Sequence, residues 1–398
     1  MRRTTENFSQ HFTEKKVREK TAFIRKRCAI LSFFDKCFYS FAFCLLLMSP
    51  VNAADSVNVK STQQTTDIFN NTDISIFAAH VTEELEYSCK TNSEIICKLN
   101  VLSQADLLAS LYQADTSGKI ISSLNGSQYE LLIGSATITD HTNGKTIQEL
   151  RLEVSAQWRG ILLSDVQLSL VLENSVTSTT EKIATASNQL LSQWIESASN
   201  KKLFSAEYLY QFLGASDYTN ELKVPYKIGD FKLSRQHLFN DPMKGMLTRY
   251  IHKDFALAVF DVYVYPLKTS HSVEIQSQNE LLLEQQDIRA ISKALGKDAL
   301  TMSDIYELES IAGLQDTRVF AFEAKLQTDS EPLFATQYVY VKNDKVVKFS
   351  INAPARITNN LIAEAINAIA VPSESSFMKQ VRQPDADKPN SNPTSVAP

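Results

Sequence analysis

Phe255–Tyr265 reads FALAVFDVYVY, an aromatic and β-branched run stopped by Pro266. Such side chains suit a pleated, packed surface, and proline cannot donate to a central ladder, so the run predicts a strand ending at that point. Working outward, Gly229–His237 and Gly245–His252 predict two preceding strands. Ser272–Leu295 predicts a long helix stopped by Gly296, with Ile275, Leu282, Ile288, Ile291 and Leu295 as one apolar stripe. Then come three more strands, Thr317–Leu326, Leu333–Lys342 and Lys345–Asn352, the last two joined by a tight turn at Asn343-Asp344. A helix over Thr358–Ala370 closes this half.

The first half shows the same grammar. Ser103–Gln113 predicts a helix with Ser103 as N-cap and Leu107, Leu108 and Leu111 inward. Tyr129–Thr139, Leu150–Trp158 and Val166–Glu173 predict strands, the second with Leu150, Leu152, Val154, Ala156 and Trp158 on one face. Asn125-Gly126 and Asn143-Gly144 are turn signals. Helices follow over Thr180–Ser197 and Ser205–Leu213, the latter ended by Gly214. The fold class is α+β, in two domains, each a mainly antiparallel sheet packed with helices. The expected division is an N-terminal domain at 76–214, a polar linker at 215–223 and a C-terminal domain at 224–371. The tail at 372–398, with five prolines, is expected to be disordered.

In the second half, Ile228-Gly229-Asp230-Phe231, the strand Asp261–Tyr265, the hairpin Tyr338–Ile351 and the helix Asn360–Ile369 come in a recognisable order. This order resembles the PsbP/Mog1-type α/β/α sandwich over roughly residues 224–371. The resemblance is topological and rests on no diagnostic motif. It implies a binding or assembly module and transfers no catalytic residue.

The front end carries an address. Residues 1–36 are rich in Lys and Arg, Cys37–Met48 is apolar (CFYSFAFCLLLM), and Ser-Pro-Val-Asn-Ala-Ala follows. A basic region, a short apolar core and a small-residue exit form the pattern of a secretory signal peptide. Cleavage is expected near Ala53, followed by a flexible polar leader at 55–75. A run of twelve residues is too short for a comfortable bilayer span, so no stable membrane span is expected after cleavage. Residues 1–54 hold ten of the 40 Lys/Arg and four of the 45 Asp/Glu, which leaves 30 against 41 and a net charge of about −11. An acidic chain with scattered cations makes a poor nucleic-acid binder, because neutralising phosphates needs clustered Lys/Arg.

Of five cysteines, Cys89 and Cys97 alone lie beyond the signal. Leu85–Cys89 and Cys97–Val101 each alternate apolar and polar residues, so a hairpin closed by a Cys89–Cys97 disulfide is expected. The spacing is wrong for a Cys-x-x-Cys redox pair, and two cysteines without neighbouring histidines make no structural zinc site.

Chemistry leaves little trace. There is no Gly-x-Ser-x-Gly, His-Glu-x-x-His or phosphate-binding Gly-Lys-Ser/Thr string, and no metal or cofactor is indicated. The densest reactive segment is Gly229–Asp254; on a strand, its His252 and Asp254 would share a face as an acid/base pair, or merely form a charged hairpin edge. Trp158-Arg159-Gly160 suggests either a stacking site or core packing, with the parity of Trp158 favouring the core, as does that of Trp194. Tyr263, Tyr265, Tyr338 and Tyr340 form an aromatic ladder that lines a groove or simply stabilises a sheet. No catalytic residue is assigned. The expectation is an exported, periplasmic, non-enzymatic binding or envelope-assembly protein. Its partner would be a protein or envelope component docked on a sheet edge or on these tyrosines. The alternatives are a periplasmic hydrolase working from the C-terminal domain and an auxiliary subunit of an envelope transporter.

Overall fold

The computed structural model describes residues 73–383, apart from 92–93, 115–126, 142–145, 173–177, 269–271, 297–298, 309–316 and 329–330. The signal sequence, its cleavage site, leader residues 55–72 and the two Asn-Gly turns lie outside the described residues. Seven helices and two sheets are described, and the fold class is α+β. The described chain separates after Ala215 into two compact units.

The first unit is built around β3 (Tyr129–Asp140). It pairs antiparallel along its whole length with β4 (Ile147–Trp158), which pairs with β5 (Ile161–Val171). The other edge of β3 is shared end to end. β1 (Ile74–Ala79) runs parallel to Tyr129–Gly134, and β2 (Ile95–Leu99) runs antiparallel to Ala136–Asp140. Ile74 and Ser75, assigned by sequence to the leader, are therefore buried in the sheet. The chain passes over Gly134 between β1 and β2, and a Cβ there would stand 3.1 Å from the Val81 Cα.

The period-two pattern of β4 works as expected. Leu150, Leu152, Val154, Ala156 and Trp158 share one core with Tyr129, Leu131 and Ile133 of β3. That core is closed by α2 (Gln104–Ala114) and α3 (Thr179–Asn200), through Leu107, Leu111, Leu190, Leu191 and Trp194. Ser178 and Glu181 form a reciprocal capping box at the start of α3. α4 (Ala206–Leu213) ends on Gly214 in the left-handed conformation, as its sequence predicts.

The expected cysteine hairpin is not formed. Leu85–Cys89 lies in α1 (Glu83–Thr91), so the Cys89–Cys97 disulfide joins a helix to β2. Five alternating residues also fit a helix, and the helical signals are stronger. Glu83, Glu84 and Glu86 occupy the first turn, where the helix dipole favours anions, and Lys90 pairs with Glu86 at 2.6 Å. The Thr82 amide, just before α1, donates to the buried Glu153 carboxylate at 2.6 Å, and the Thr82 hydroxyl donates to it at 2.9 Å.

The second unit is a nine-stranded antiparallel sheet between helices. Its strands are β6 (Lys227–Ile228), β7 (Phe231–Leu238), β8 (Met246–His252), β9 (Val259–Pro266), β10 (Leu300–Met302), β11 (Tyr306–Glu307), β12 (Phe320–Leu326), β13 (Leu333–Lys342) and β14 (Lys345–Ile351). Their spatial order is β10-β12-β13-β14-β9-β8-β7-β6, with β11 also on β12. α5 (Val273–Ala294) packs through Leu281, Ile288 and Ile291 on the face that carries Phe320, Phe322 and Val339. α6 (Ala355–Ala368) lies on the opposite face, where Thr358 and Asn359 meet Tyr338.

Four expectations need correction here. The strand read at Phe255–Tyr265 begins only at Val259; Phe255–Ala258 is a turn, with Phe255 65% and Leu257 70% exposed. The α5 stripe turns on Leu281, not Leu282, and includes the charged Glu284; Ile275 and Leu295 face out. Residues 216–223, read as a linker, pack in the second unit through buried Tyr218 and Leu222, and Lys223 bridges to Ala370. The tail read as disordered from 372 contains α7 (Ser376–Arg382), with Met378 buried. Arg382 donates from Nε to the Leu267 carbonyl at 2.8 Å and from Nη2 to the Asp344 carboxylate at 2.9 Å.

Candidate functional site

The four tyrosines do not form one surface. In the register of the sheet, Tyr263 stands opposite Lys348, which stands opposite Val339. Tyr338 stands opposite Phe349, one residue out of phase. Side chains alternate along a strand, so Tyr263 and Tyr265 point to the α5 face and Tyr338 and Tyr340 to the α6 face. None is more than 5% exposed. Tyr338 donates to the Asn359 side chain at 2.7 Å, Tyr265 to Glu280 at 2.8 Å, and Tyr340 packs against Phe349 with ring centroids 5.7 Å apart. Burial pushes the Tyr338 and Tyr340 phenols well above their usual range. All four are core residues, and the groove reading is withdrawn.

The α5 face also holds a charged network. Arg249 on β8 grips Asp261 on β9 through two hydrogen bonds, Nε to Oδ1 at 2.7 Å and Nη2 to Oδ2 at 2.6 Å. Lys348 on β14 pairs with Glu284 on α5, its ammonium 4.8 Å from the Tyr263 ring centroid. Burial pushes the Asp261 carboxyl up, and the Arg249 fork opposes that shift. Each of these charges meets one of opposite sign. The Lys348–Glu284 pair ties α5 to the sheet, and the Arg249–Asp261 pair ties β8 to β9.

His252 and Asp254 are not an acid/base pair either. The Nδ1 atom of His252 accepts the Asp254 backbone amide at 3.1 Å, and its ring packs between Phe231 and Phe255. The Asp254 side chain is exposed. Trp158 is buried in the core, and Arg159 lies over its ring at 4.8 Å, so the stacking position is filled from within the chain. Among the described residues, no group of three His, Cys, Asp or Glu stands ready to hold a metal ion.

What the fold does leave open is β5. It pairs with β4 on one side, and no described strand pairs with it on the other. Among the described residues, β1 and β2 have six and five residues, β6 two, and β10 three; the outer edge of β7, which β6 covers only at Phe231 and Lys232, is longer but carries Lys232, Arg235 and His237. Brevity is a common defence against strand addition, and so are charge and proline. β5 is neither short nor broken by proline, and its pairing with β4 is irregular only near Leu163. It is eleven residues long (ILLSDVQLSLV), with Asp165 as its one charge. Its start is partly covered, since Tyr208 of α4 donates to the Leu163 carbonyl at 3.3 Å. From Asp165 to Val171, exposed Asp165, Gln167, Ser169 and Val171 alternate with half-buried Val166, Leu168 and Leu170, which pack against the core.

The hydrogen-bond phase of β5 follows from its end. The Leu172 amide donates to the Gln148 carbonyl at 2.7 Å. Bonded and non-bonded pairs alternate in an antiparallel ladder, so Val166, Leu168 and Leu170 bond inward to β4. Asp165, Gln167, Ser169 and Val171 turn their N–H and C=O groups outward. The alternation of β5 is readable in sequence; its place at the edge is not.

No family model matches the chain, and no curated protein matches it. Among solved structures, the chain is similar to cyanobacterial PsbP (CyanoP) from Synechocystis sp. PCC 6803, at 7% identity over 39% of this chain and 89% of that one, with a TM-score of 0.27. It is also similar to a DUF330 protein from Xanthomonas campestris, at 14% identity over 35% of this chain and 88% of that one, with a TM-score of 0.24. The likeness to PsbP is weak and at the level of fold. Neither likeness bears on activity, ligand or partner.

Proposed function

We propose that the protein is an exported binding or envelope-assembly module that takes a partner strand along β5 and performs no catalysis. The observation that carries this reading is the β5 edge, which is long, nearly uncharged and unbridged by any described strand, whereas the other described edges are short or, on β7, carry Lys232 and Arg235. Strand addition supplies affinity through main-chain bonds and specificity through alternate side chains, and needs no pocket. Export is supported by the Cys37–Ala54 pattern and by the Cys89–Cys97 disulfide, which suits an oxidising compartment such as the periplasm. Among the described residues, no helix is long and apolar enough to cross a membrane.

The test is a photo-crosslinking residue in place of Gln167, in the exported protein in its own cells, with Lys232 on β7 as the control position. A discrete adduct from position 167 and none from 232 is the expected result. Equal labelling from both positions, or none from 167, would overturn the reading.

A further inference from the structure

We infer that the strand received by β5 is the β5 of a second copy of this chain, paired antiparallel about a two-fold axis at Leu168. This inference rests on the edge-docking reading above and names its partner.

The outward-bonding residues are Asp165, Gln167, Ser169 and Val171, by the phase that the Leu172–Gln148 bond sets. A two-fold at Leu168 places Gln167 opposite Ser169 of the other copy and Asp165 opposite Val171. All of these are outward-bonding, so each pair exchanges two hydrogen bonds, about eight in total. On the core side, Leu168 meets its own counterpart, and Val166 meets Leu170. A continuous apolar row would then cover side chains that are half-buried in the single chain. A two-fold at Gln167 or at Ser169 uses fewer of the free outward residues: the first runs into Leu163, whose carbonyl Tyr208 already occupies, and the second leaves Asp165 unpaired.

Charge favours the same arrangement. Like charges placed directly opposite destabilise strand pairs. Asp165 is the one charged residue of β5, and this register sets it against Val171. An acidic chain of about −11 beyond its signal repels its own copies over most of its surface. β5 adds only one charge per copy, Asp165, to that repulsion at the contact itself. A two-fold contact is self-complementary and closes on itself, so pairing stops at two copies.

The experiment uses the full exported, oxidised chain. Sedimentation should give a concentration-dependent mass of two chains. Leu168→Cys should form an interchain disulfide on a non-reducing gel, because position 168 faces itself across a non-bonded pair whose Cα separation suits a disulfide. Gln167→Cys and Leu170→Cys face other residues and should link at least about tenfold less. Gln167→Pro removes an outward N–H without touching the β4 ladder and should weaken association about tenfold or more. A monomer at all concentrations, or equal linking at 167, 168 and 170, overturns the inference. If the chain is monomeric while position 167 labels a different protein in cells, the second copy is wrong and the edge reading survives. If it is monomeric and position 167 labels nothing, both fall.

Discussion

Arg249 closes both arms of its guanidinium on the Asp261 carboxylate, at 2.7 and 2.6 Å, between two central strands of the second sheet. Asp261 is fully buried and the Arg249 side chain nearly so. Desolvating two charges costs about as much as their attraction returns, but removing one partner strands the other. Asp261→Asn should therefore destabilise the second unit by about 3–5 kcal/mol, while Arg249→Met with Asp261→Leu should lie within about 1–2 kcal/mol of wild type. Urea unfolding of the three proteins checks this. A double variant no more stable than the single would contradict the pairing argument.

Buried tyrosines predict a stability effect and no binding effect. Tyr340→Ser removes a fully buried ring packed on Phe349 and should cost about 3–5 kcal/mol. Association through β5 should be unchanged in whatever fraction stays folded. Weakened association with an unchanged melting curve would return the tyrosines to a binding role.

The C-terminal segment acts as a strap. α7 buries Met378, and Arg382 ties Leu267 to the β13–β14 turn at Asp344. Met378→Ala should cost about 2–5 kcal/mol. Truncation after Val371 should cost at least as much and should make 216–223 a new site of proteolysis, because Glu221 accepts from the Ser373 amide and Ser216 donates to its carbonyl. An unchanged melting point after truncation would show that the strap contributes nothing.

Cys89 and Cys97 close a loop of eight residues. By the chain-entropy model such a loop contributes about 2–3 kcal/mol. Reduction, or Cys89→Ser, should lower the stability of the first unit by that amount and free α1 from β2. Amide exchange should rise in Glu83–Leu99 and stay constant in the second unit. A rise in both units would show that the two are not independent in stability.

Much of this architecture is written in the sequence. Period-two runs such as Leu150–Trp158 mark strands, and Ser205 and Gly214 mark helix ends where the structure has them. The errors have physical causes. Leu85–Cys89 is too short for its alternation to outweigh an acidic first turn and a Glu86–Lys90 pair. Glu284 completes the inward stripe of α5, but a charged residue is invisible to an apolar pattern until Lys348 is seen beside it. The tyrosine ladder failed on register: a one-residue offset between β9 and β13 sends the two pairs to opposite faces, and no sequence pattern fixes that offset. β5 is legible as a strand from Val166 but not over Ile161–Asp165, and it is illegible as an edge, because strand order is a property of the assembled sheet.

Amide exchange at Gln167, Ser169 and Val171 tests the central claim most directly. These residues turn their N–H groups away from β4, so in a single chain they exchange with solvent, and a partner strand protects them. The account predicts strong protection at high protein concentration that is lost on dilution, while the inward amides of Val166, Leu168 and Leu170 stay protected throughout. Fast exchange at 167, 169 and 171 at every concentration would contradict it.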